Sequence, residues 1–317
     1  MVLVFSQNFC IIQYAVKYIY FNIVDQLTTV FSQHRHQKLQ NSQYSGSTIT
    51  SAITFSYNYA NSLSFIMTIK HFTIISIFPN IFAMLTNYGV IGRAIQNKLV
   101  NLTTINPRDY TRDKHATVDA RPFGGGPGML MKAEPLLAAL QKAKHLTPEP
   151  YTCVYLSPQG QVFSQSKAEK SAGNITNFIL ICGRYDGIDQ RITDTLVDEV
   201  WSIGNYVLTG GELPAMVVMD SIIRLIPEVL GNSQSSVTES FNHNLLDYPQ
   251  YTRPQKVMTE TVPEVLLSGN HKRIKLWRLK QSLGYTLRFR PEMLAKRKLS
   301  AQEVKLLHEF MNESDNE

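Results

Sequence analysis

From about residue 67 onward, hydrophobic positions occur in short continuous runs that polar and glycine-containing segments separate. Runs of this kind predict buried strands at 71–78, 151–158 and 178–182. Pro79 follows the first run directly, and a Pro-Gln-Gly turn is expected to end the second. The chain therefore begins its folded part with sheet-forming segments.

Between the strands, apolar residues recur three and four positions apart, which is the spacing of one helix face. The segment after Pro79 has this pattern, with Asn80 placed as its cap. A second helix is predicted at 214–229, and Gly231 is expected to end it. Strands that alternate with helices predict an α/β fold, with a parallel sheet and helices on both of its faces.

The first 66 residues have a different pattern, without a sustained helical or strand period. They contain one acidic residue, Asp25, and three basic ones, Lys17, Arg35 and Lys38, among many polar residues. Acid-poor, serine-rich starts also occur in transit peptides, but those are rich in arginine. We therefore expect residues 1–66 to be an extension outside the folded domain, either disordered or translated from a start upstream of Met67.

Residues 232–246 are polar and rich in Ser and Asn, which predicts a linker. Residues 247–317 favour a small, mainly helical domain with an excess of basic side chains. Thirteen basic and aromatic residues lie within 271–298: Lys272, Arg273, Lys275, Trp277, Arg278, Lys280, Tyr285, Arg288, Phe289, Arg290, Lys296, Arg297 and Lys298. A solvated face is the plainer interpretation. The functional interpretation is binding to a phosphate backbone, because so many like charges repel one another without an anionic partner.

Composition supports an anionic partner, since the net charge is +6 and the pI about 9.1. The three cysteines, Cys10, Cys153 and Cys182, form no C-x-x-C pair. This argues against a disulfide framework and a structural zinc site, and it favours a reducing, cytoplasmic location. The most apolar early stretch, 11–24, is interrupted by polar residues, so no membrane span is predicted.

Four glycine-rich loops lie at 123–129, 157–160, 182–189 and 204–214. None has the spacing of a G-x-x-x-x-G-K-[ST] phosphate loop or of a G-x-G-x-x-G dinucleotide loop. One such loop alone would be a structural turn, but several at strand ends favour a ligand held mainly by backbone groups. Charged and aromatic candidates lie in or near these loops: Arg184, Asp186, Asp189, Asp198, Glu199, Trp201 and Arg224.

Eight motifs occur in a fixed order between about residues 72 and 311. They are IISIFPNIF, NYGVIGRAI, NPRDYTRDKHATVDARPFGGGPGMLMKAEPL, YLSPQGQVF, LICGRYDGIDQRI, DEVWSIGNYVLTGGELPAMVVMDSIIRLIPEVLG, LLDYPQYTRP and LLSGNHKRIKLWRLKQSLG. Together they resemble the bacterial tRNA (guanine-N1-)-methyltransferases of the SPOUT superfamily. Residues 1–66 have no counterpart there, which favours Met67 or a nearby residue as the natural start.

The resemblance implies a cofactor-binding domain at 67–231, threaded into a deep trefoil knot, and a basic tRNA-binding domain at 247–317. It also implies a homodimer with each active site at the subunit interface. The methyl donor would be S-adenosylmethionine, and the acceptor would be ring nitrogen 1 of guanine 37 in tRNA. Activity in this family depends on Mg²⁺, and no acidic cluster in the sequence identifies its ligands.

The reaction needs a base, because ring nitrogen 1 carries a proton, and a cation to stabilise charge on the neighbouring carbonyl oxygen. The resemblance assigns the base to Glu239, where the family has aspartate, and the cation to Arg224. It assigns the cofactor pocket to Pro158, Gly183, Asp186, Ile203, Gly204, Asn205, Tyr206, Val207, Leu208, Gly210, Gly211 and Pro214. Asp186 stands where the family usually has glutamate, and Ala120 replaces a second acid in the V-D-D stretch.

Two alternatives accompany this hypothesis. One is a knotted methyltransferase that acts on another RNA position, such as a ribose 2′-oxygen; the carboxylate at 239 and the complete basic region argue against it. The other is an RNA-binding relative that has lost catalysis, because glutamate in place of aspartate at the base position would fit decay. Intact cofactor loops argue against that second alternative.

Overall fold

The computed structural model describes residues 69–174, 176–231 and 239–314. The expected extension at 1–66 and the first part of the expected linker, 232–238, lie outside these described residues. The strands are β1 (Lys70–Ile75), β2 (Val100–Ile105), β3 (Asp119–Ala120), β4 (Leu130–Met131), β5 (Tyr151–Val162), β6 (Asn177–Cys182), β7 (Glu199–Ser202), β8 (Lys256–Val257) and β9 (Glu260–Thr261). The α-helices are α1 (Ala83–Asn87), α2 (Gly89–Gln96), α3 (Ala133–Leu146), α4 (Gln165–Gly173), α5 (Gln190–Leu196), α6 (Glu212–Ile223), α7 (Glu264–Leu267), α8 (His271–Phe289), α9 (Pro291–Leu294) and α10 (Ala301–Ser314).

The main sheet of the described chain has five strands in the order β2-β1-β6-β5-β7. Strand β1 pairs with β2 and β6, and β5 pairs with β6 and β7, in each case in parallel. The other pairs, β3 with β4 and β8 with β9, are short and antiparallel. The prediction of a parallel α/β sheet is confirmed.

Both faces of the sheet are buried, because successive side chains of a strand point to opposite faces. In β6, Phe178 and Leu180 belong to one apolar cluster, and Ile179 and Ile181 to the other. The first cluster is completed by residues of α2, α4 and α6, and the second by residues of α3 and α5. This two-sided burial explains why the strands have continuous apolar runs rather than an alternating pattern.

Strand β5 does not end where the Pro-Gln-Gly sequence predicted. It continues to Val162, and both Leu156 and Gln161 are in register with Trp201 of β7. The four residues between them, 157–160, therefore bulge out of the ladder. At Gly160, an added Cβ would lie 2.4 Å from the backbone carbonyl of Val200, so only glycine lets the strand close again here.

The predicted helix boundaries are also wrong in two places. Asn80 does not cap a helix: it lies inside a 3-10 helix, Pro79–Phe82, whose cap residue is Phe78. The predicted helix at 214–229 is α6, which begins at Glu212 and ends at Ile223. Its apolar pattern continues into the turns that follow, because Leu225, Ile226 and Val229 pack on the same core. Their amides donate to carbonyl oxygens three positions back, not four as in an α-helix.

The predicted helical region at the carboxyl end contains α7 to α10, preceded by the short pair of β8 and β9. Leu283, Leu294 and Leu306 form its apolar cluster together with Leu245. Helices α8 and α10 pack closely at Gly284, where an added Cβ would lie 2.3 Å from the Phe310 ring. Among the helices of the described residues, none is long and apolar enough to cross a membrane.

A buried lysine joins β1 to the end of α4. Lys70 is 5% exposed and donates hydrogen bonds to the carbonyl oxygens of Ser171, Ala172 and Asn174, the last at 2.7 Å. A cation is favourable at a helix carboxyl terminus, where carbonyl groups lack helical partners. Burial opposes the charge, however, and lowers the pKa of Lys70 to about 8.

This lowered pKa predicts that stability depends on pH. Between the folded-state pKa of about 8 and the ordinary value of 10.5, the unfolded chain binds more protons at Lys70 than the folded chain. The contribution of Lys70 to the free energy of unfolding therefore rises with pH across that range, by roughly 3 kcal/mol in total. Chemical denaturation of wild type and Lys70→Met at pH 7.5 and 10.5 should show that only wild type gains this increment. Parallel profiles would contradict the prediction.

Candidate functional site

A cavity of about 360 Å³ lies at the carboxyl ends of β5, β6 and β7. In a parallel sheet, this is the edge at which ligands bind. Three chain segments surround the cavity: the bulge of β5, the loop after β6 at 182–187, which we call the first glycine loop, and the loop at 203–211, the second glycine loop. Pro214 of α6 completes the wall.

The two glycine loops contact each other through their backbones. The amide of Gly211 donates to the carbonyl oxygen of Gly183 at 2.8 Å, and Arg184 forms an antiparallel bridge with Gly210. An added Cβ at Gly211 would lie 2.7 Å from the Cα of Cys182, and one at Gly183 would lie 2.8 Å from the Tyr155 ring. Glycine is therefore required by contact between protein segments that form the cavity wall.

The second glycine loop has its own internal hydrogen bonds. The Ser202 hydroxyl donates to the carbonyl oxygen of Gly204 at 3.0 Å, and Tyr206 donates from its hydroxyl to the carbonyl oxygen of Ile203 at 3.3 Å. Gly204 has φ of +153°, a conformation that other residues rarely adopt. These contacts give the loop a defined shape in which its apolar residues Val207 and Leu208 remain exposed, by 85% and 38%.

Trp201 forms the aromatic floor of the cavity and is fixed by polar contacts. Its indole N–H donates to Glu199 Oε2 at 2.8 Å, and Lys167 donates to the same oxygen at 2.5 Å. The Lys167 ammonium also lies 5.1 Å from the centroid of the Trp201 ring, and Phe163 packs at 5.2 Å. Glu199, a candidate from the sequence, is therefore a residue that orients Trp201.

Asp186 lies on the first glycine loop and, of the described residues that line the cavity, is the one with a charged side chain. Its amide donates to the carbonyl oxygen of Met129 at 3.0 Å, so the loop rests on the glycine-rich segment 123–129. A Cβ at Gly128 would lie 1.6 Å from an Asp186 carboxylate oxygen. The GGGPGM segment thus leaves space for this carboxylate.

Arg224 and Glu239 form a bidentate ion pair outside this cavity. Nη1 and Nη2 of Arg224 donate to the two Glu239 carboxylate oxygens at 2.7 and 2.6 Å. The pair is about one-third exposed, and hydrogen bonding to Glu239 raises the pKa of Arg224. Burial raises the pKa of nearby Asp247, and the charge of Glu239 adds to this rise. Glu239, the candidate base, and Arg224, the candidate cation, are therefore in direct contact although they lie fifteen positions apart in the sequence.

The structure brings eleven of the twelve predicted cofactor residues together around the cavity. The exception is Asn205, which is exposed and does not line it. Eight further lining residues were not assigned to the cofactor pocket: Tyr155, Leu156, Ser157, Gln159, Tyr185, Gly187, Trp201 and Ser202. Trp201 was a candidate from the sequence, and Ser157, Gln159, Tyr185 and Gly187 lie in two of the predicted glycine-rich loops, which was the available signal. Arg224 and Glu239 meet each other but do not line the cavity.

The basic surface predicted at 271–298 is largely solvent-exposed on and after α8. Among the described residues, three of its ten basic side chains form ion pairs: Lys280 with Glu313, Arg290 with Glu292, and Arg297 with Glu303. The Arg278 guanidinium lies 4.8 Å from the Tyr248 ring centroid, and Trp277 packs near Tyr251 at 6.4 Å. Exposed cations beside aromatic rings suit a phosphate-rich partner.

Comparisons with known proteins identify the family of the chain. The family model for tRNA (Guanine-1)-methyltransferase TrmD matches residues 70–296. The chain is 54% identical over 230 residues to the tRNA (guanine-N(1)-)-methyltransferase of Buchnera aphidicola subsp. Acyrthosiphon pisum, covering 73% of this chain and 97% of that protein. Over 241 residues it is 51% identical to the enzyme of that name from Vibrio vulnificus strain YJ016, covering 76% and 96%.

The chain belongs to the tRNA (guanine-1)-methyltransferase family. The resemblance inferred from the eight motifs is confirmed, and a methyltransferase of this family implies S-adenosylmethionine. The family match ends at residue 296 and begins at residue 70, close to the point where the sequence pattern changes. Within the part of the chain that the structure describes, no group of three or more His, Cys, Asp or Glu residues could hold a metal ion.

Proposed function

We propose that this protein transfers a methyl group from S-adenosylmethionine to ring nitrogen 1 of guanine 37 in tRNA. The observation that carries the proposal is the cavity at the strand ends, around which the residues implied by the family come together. Its volume of about 360 Å³ lies within the range of small-molecule sites. Membership of the family and the basic surface of α8 support tRNA as the substrate.

The residues of the cavity fit the cofactor that the family implies. When bound, S-adenosylmethionine supplies a methyl group activated by a positively charged sulfonium centre. The backbone groups of the two glycine loops would hold its adenosyl part, and Trp201 and Leu208 would exclude water beside it. Asp186, the acidic side chain at this wall, would favour a cationic ligand.

Glu239 would accept the proton from ring nitrogen 1 of the guanine, and Arg224 would donate to the adjacent carbonyl oxygen. In the ion pair, each of these groups satisfies the other. Binding of guanine would therefore exchange one partner for another: Arg224 turns to the carbonyl oxygen, and the carboxylate is released to accept the proton. The longer side chain of glutamate still reaches both guanidinium nitrogens in this chain.

We also infer a homodimer with each active site at the subunit interface. The separation of the Arg224–Glu239 pair from the cavity of its own chain supports this arrangement. Leu213 and Val217 are 51% and 46% exposed on α6, and Arg224 follows on the same helical face. An exposed apolar face that ends in the proposed catalytic arginine suits contact with a second copy. Sedimentation of wild type and of Val217→Asp tests the proposed homodimer. A wild type that sediments as a monomer would refute it.

The remaining expectations stay proposals of the same kind. The trefoil knot and the Mg²⁺ requirement rest on the family resemblance. The domain division at 67–231, 232–246 and 247–317 rests on composition as well, and the cytoplasmic location rests on the cysteine pattern. Contact between the two glycine loops through Gly183 and Gly211 is compatible with a knotted crossing. Buried, free Cys153 and Cys182 are compatible with a reducing compartment.

The function is tested by methylation of two tRNA transcripts that differ only at position 37, one with guanine and one with adenine. We expect N1-methylguanosine, identified by nucleoside mass spectrometry, in the guanine transcript alone. A methylated product at another position would favour the alternative RNA target. A dimer that binds no cofactor in calorimetry and forms no product would favour the decayed RNA-binding relative.

Gly211→Ala is expected to weaken binding of S-adenosylmethionine by at least about tenfold, because the added Cβ would displace the backbone at Cys182 and Gly183. Affinity for tRNA should change less, since α8 lies elsewhere in the chain. Calorimetric titration measures the first quantity and filter binding the second. Gly173→Ala is the matched control, because nothing lies within 4 Å of its Cβ position. Equal affinities of the two variants would contradict the role given to Gly211.

A further inference from the structure

A buried carboxylate lies directly behind the cavity wall. Glu212, the first residue of α6, is 1% exposed, a rare state for glutamate unless its charge is compensated. Its Oε1 accepts from the Ser76 hydroxyl at 2.7 Å, and its Oε2 accepts from Nε of Arg184 at 2.8 Å. Both carboxylate oxygens are therefore satisfied by side chains from distant parts of the sequence.

Arg184 extends this contact to both glycine loops. It belongs to the first loop, and its Nη1 donates to the carbonyl oxygen of Thr209 in the second loop at 3.2 Å. Its guanidinium also lies 4.6 Å from the centroid of the Phe78 ring, just after β1. One arginine side chain thus joins the two loops, and Glu212 fixes the direction in which that side chain points.

Neither Glu212 nor Arg184 lines the cavity, but their sequence neighbours do. Gly183 and Tyr185 flank Arg184, and Gly210 and Gly211 precede Glu212. An acid at the start of a helix ordinarily interacts with the helix dipole from an exposed position. The burial of Glu212 and its ion pair with a residue of another loop need a different explanation.

We propose that Glu212 is a positioning residue for the ligand cavity: through Arg184 and Ser76, it holds the two glycine loops at the spacing that the cofactor requires. The inference rests on the proposed function for the identity of that cofactor. It assigns Glu212 no contact with substrate or cofactor. Its effect is to keep the backbone pairing of Gly183 with Gly211 closed before the cofactor arrives.

Hydrogen exchange of the ligand-free protein tests the proposal directly. In Glu212→Gln, amide exchange should become faster at 204–211, while the central strands β1 and β6 keep wild-type protection. Affinity for S-adenosylmethionine, measured by calorimetry, should fall about tenfold or more, because a charge-assisted hydrogen bond is lost. Glu303→Gln is a matched control: Glu303 is also buried, and it accepts from Arg297 and Ser300, away from the cavity.

Wild-type exchange at 204–211 and unchanged cofactor affinity in Glu212→Gln would overturn the proposal. The same is true if Glu303→Gln weakens the cofactor equally, since the effect would then be general destabilisation. If Glu212→Gln does not fold, Ser76→Ala removes one of the two contacts, and about three- to tenfold weaker binding is expected. If wild type binds no cofactor, the proposed function fails, but the exchange experiment still decides whether Glu212 holds the loops together.

Discussion

Replacing Glu239 by glutamine is expected to lower kcat about 10²- to 10⁴-fold, because an amide does not accept the guanine proton at neutral pH. Cofactor affinity should remain near wild type, since Glu239 does not line the cavity. Single-turnover methylation of a tRNA transcript with guanine 37 measures the rate, and calorimetry measures the affinity. The glutamine side chain has nearly the same shape, so a loss of turnover reports the missing carboxylate.

Glu239→Asp is the matched control, because it introduces the aspartate that the family resemblance implies at this position. We expect it to keep most of the turnover, with a weaker contact to Arg224 since aspartate is one methylene shorter. A general base needs a carboxylate, so wild type and Glu239→Asp should both turn over while Glu239→Gln does not. Turnover of Glu239→Gln within tenfold of wild type would exclude Glu239 as the base.

The sheet was predictable because its strands are buried on both faces. Runs such as Phe178–Cys182 contain no polar residue, which is the composition of a strand covered on both faces. The end of β5 was not predictable in the same way. Pro158 and Gly160 have the composition of a terminal turn, but pairing of Leu156 and Gln161 with the same residue of β7 continues the strand. That pairing depends on a strand forty residues further on.

The cavity was predicted in outline because backbone contacts leave a signal in the sequence. Gly183, Gly210 and Gly211 are glycines since a Cβ at each would meet a neighbouring segment. Glu212 left no such signal, because a glutamate at a helix start is common on protein surfaces. Its burial follows from Arg184, 28 positions away, and Ser76, 136 positions away, which no local pattern connects. The glycines of the cavity wall could therefore be found from the sequence, and the buried carboxylate behind that wall could not.

Arg224→Ala is expected to lower kcat about 10²- to 10³-fold, through loss of the donor that stabilises charge on the guanine carbonyl oxygen. Its effect on folding stability should be small, because the ion pair with Glu239 is partly exposed. Arg224→Lys keeps the positive charge but not the bidentate geometry, and it should recover only part of the rate. Circular dichroism melting and single-turnover rates distinguish these two effects.

The double variant that combines Arg224→Ala with Glu239→Gln shows whether the two residues act as a unit. If Arg224 and Glu239 serve the same proton transfer, the double variant should be little slower than the slower single variant, so the separate losses do not add. Hydrogen bonding to Glu239 raises the pKa of Arg224, so the guanidinium remains protonated throughout the measurable range. Fully additive losses would show that the ion pair has no common role in turnover.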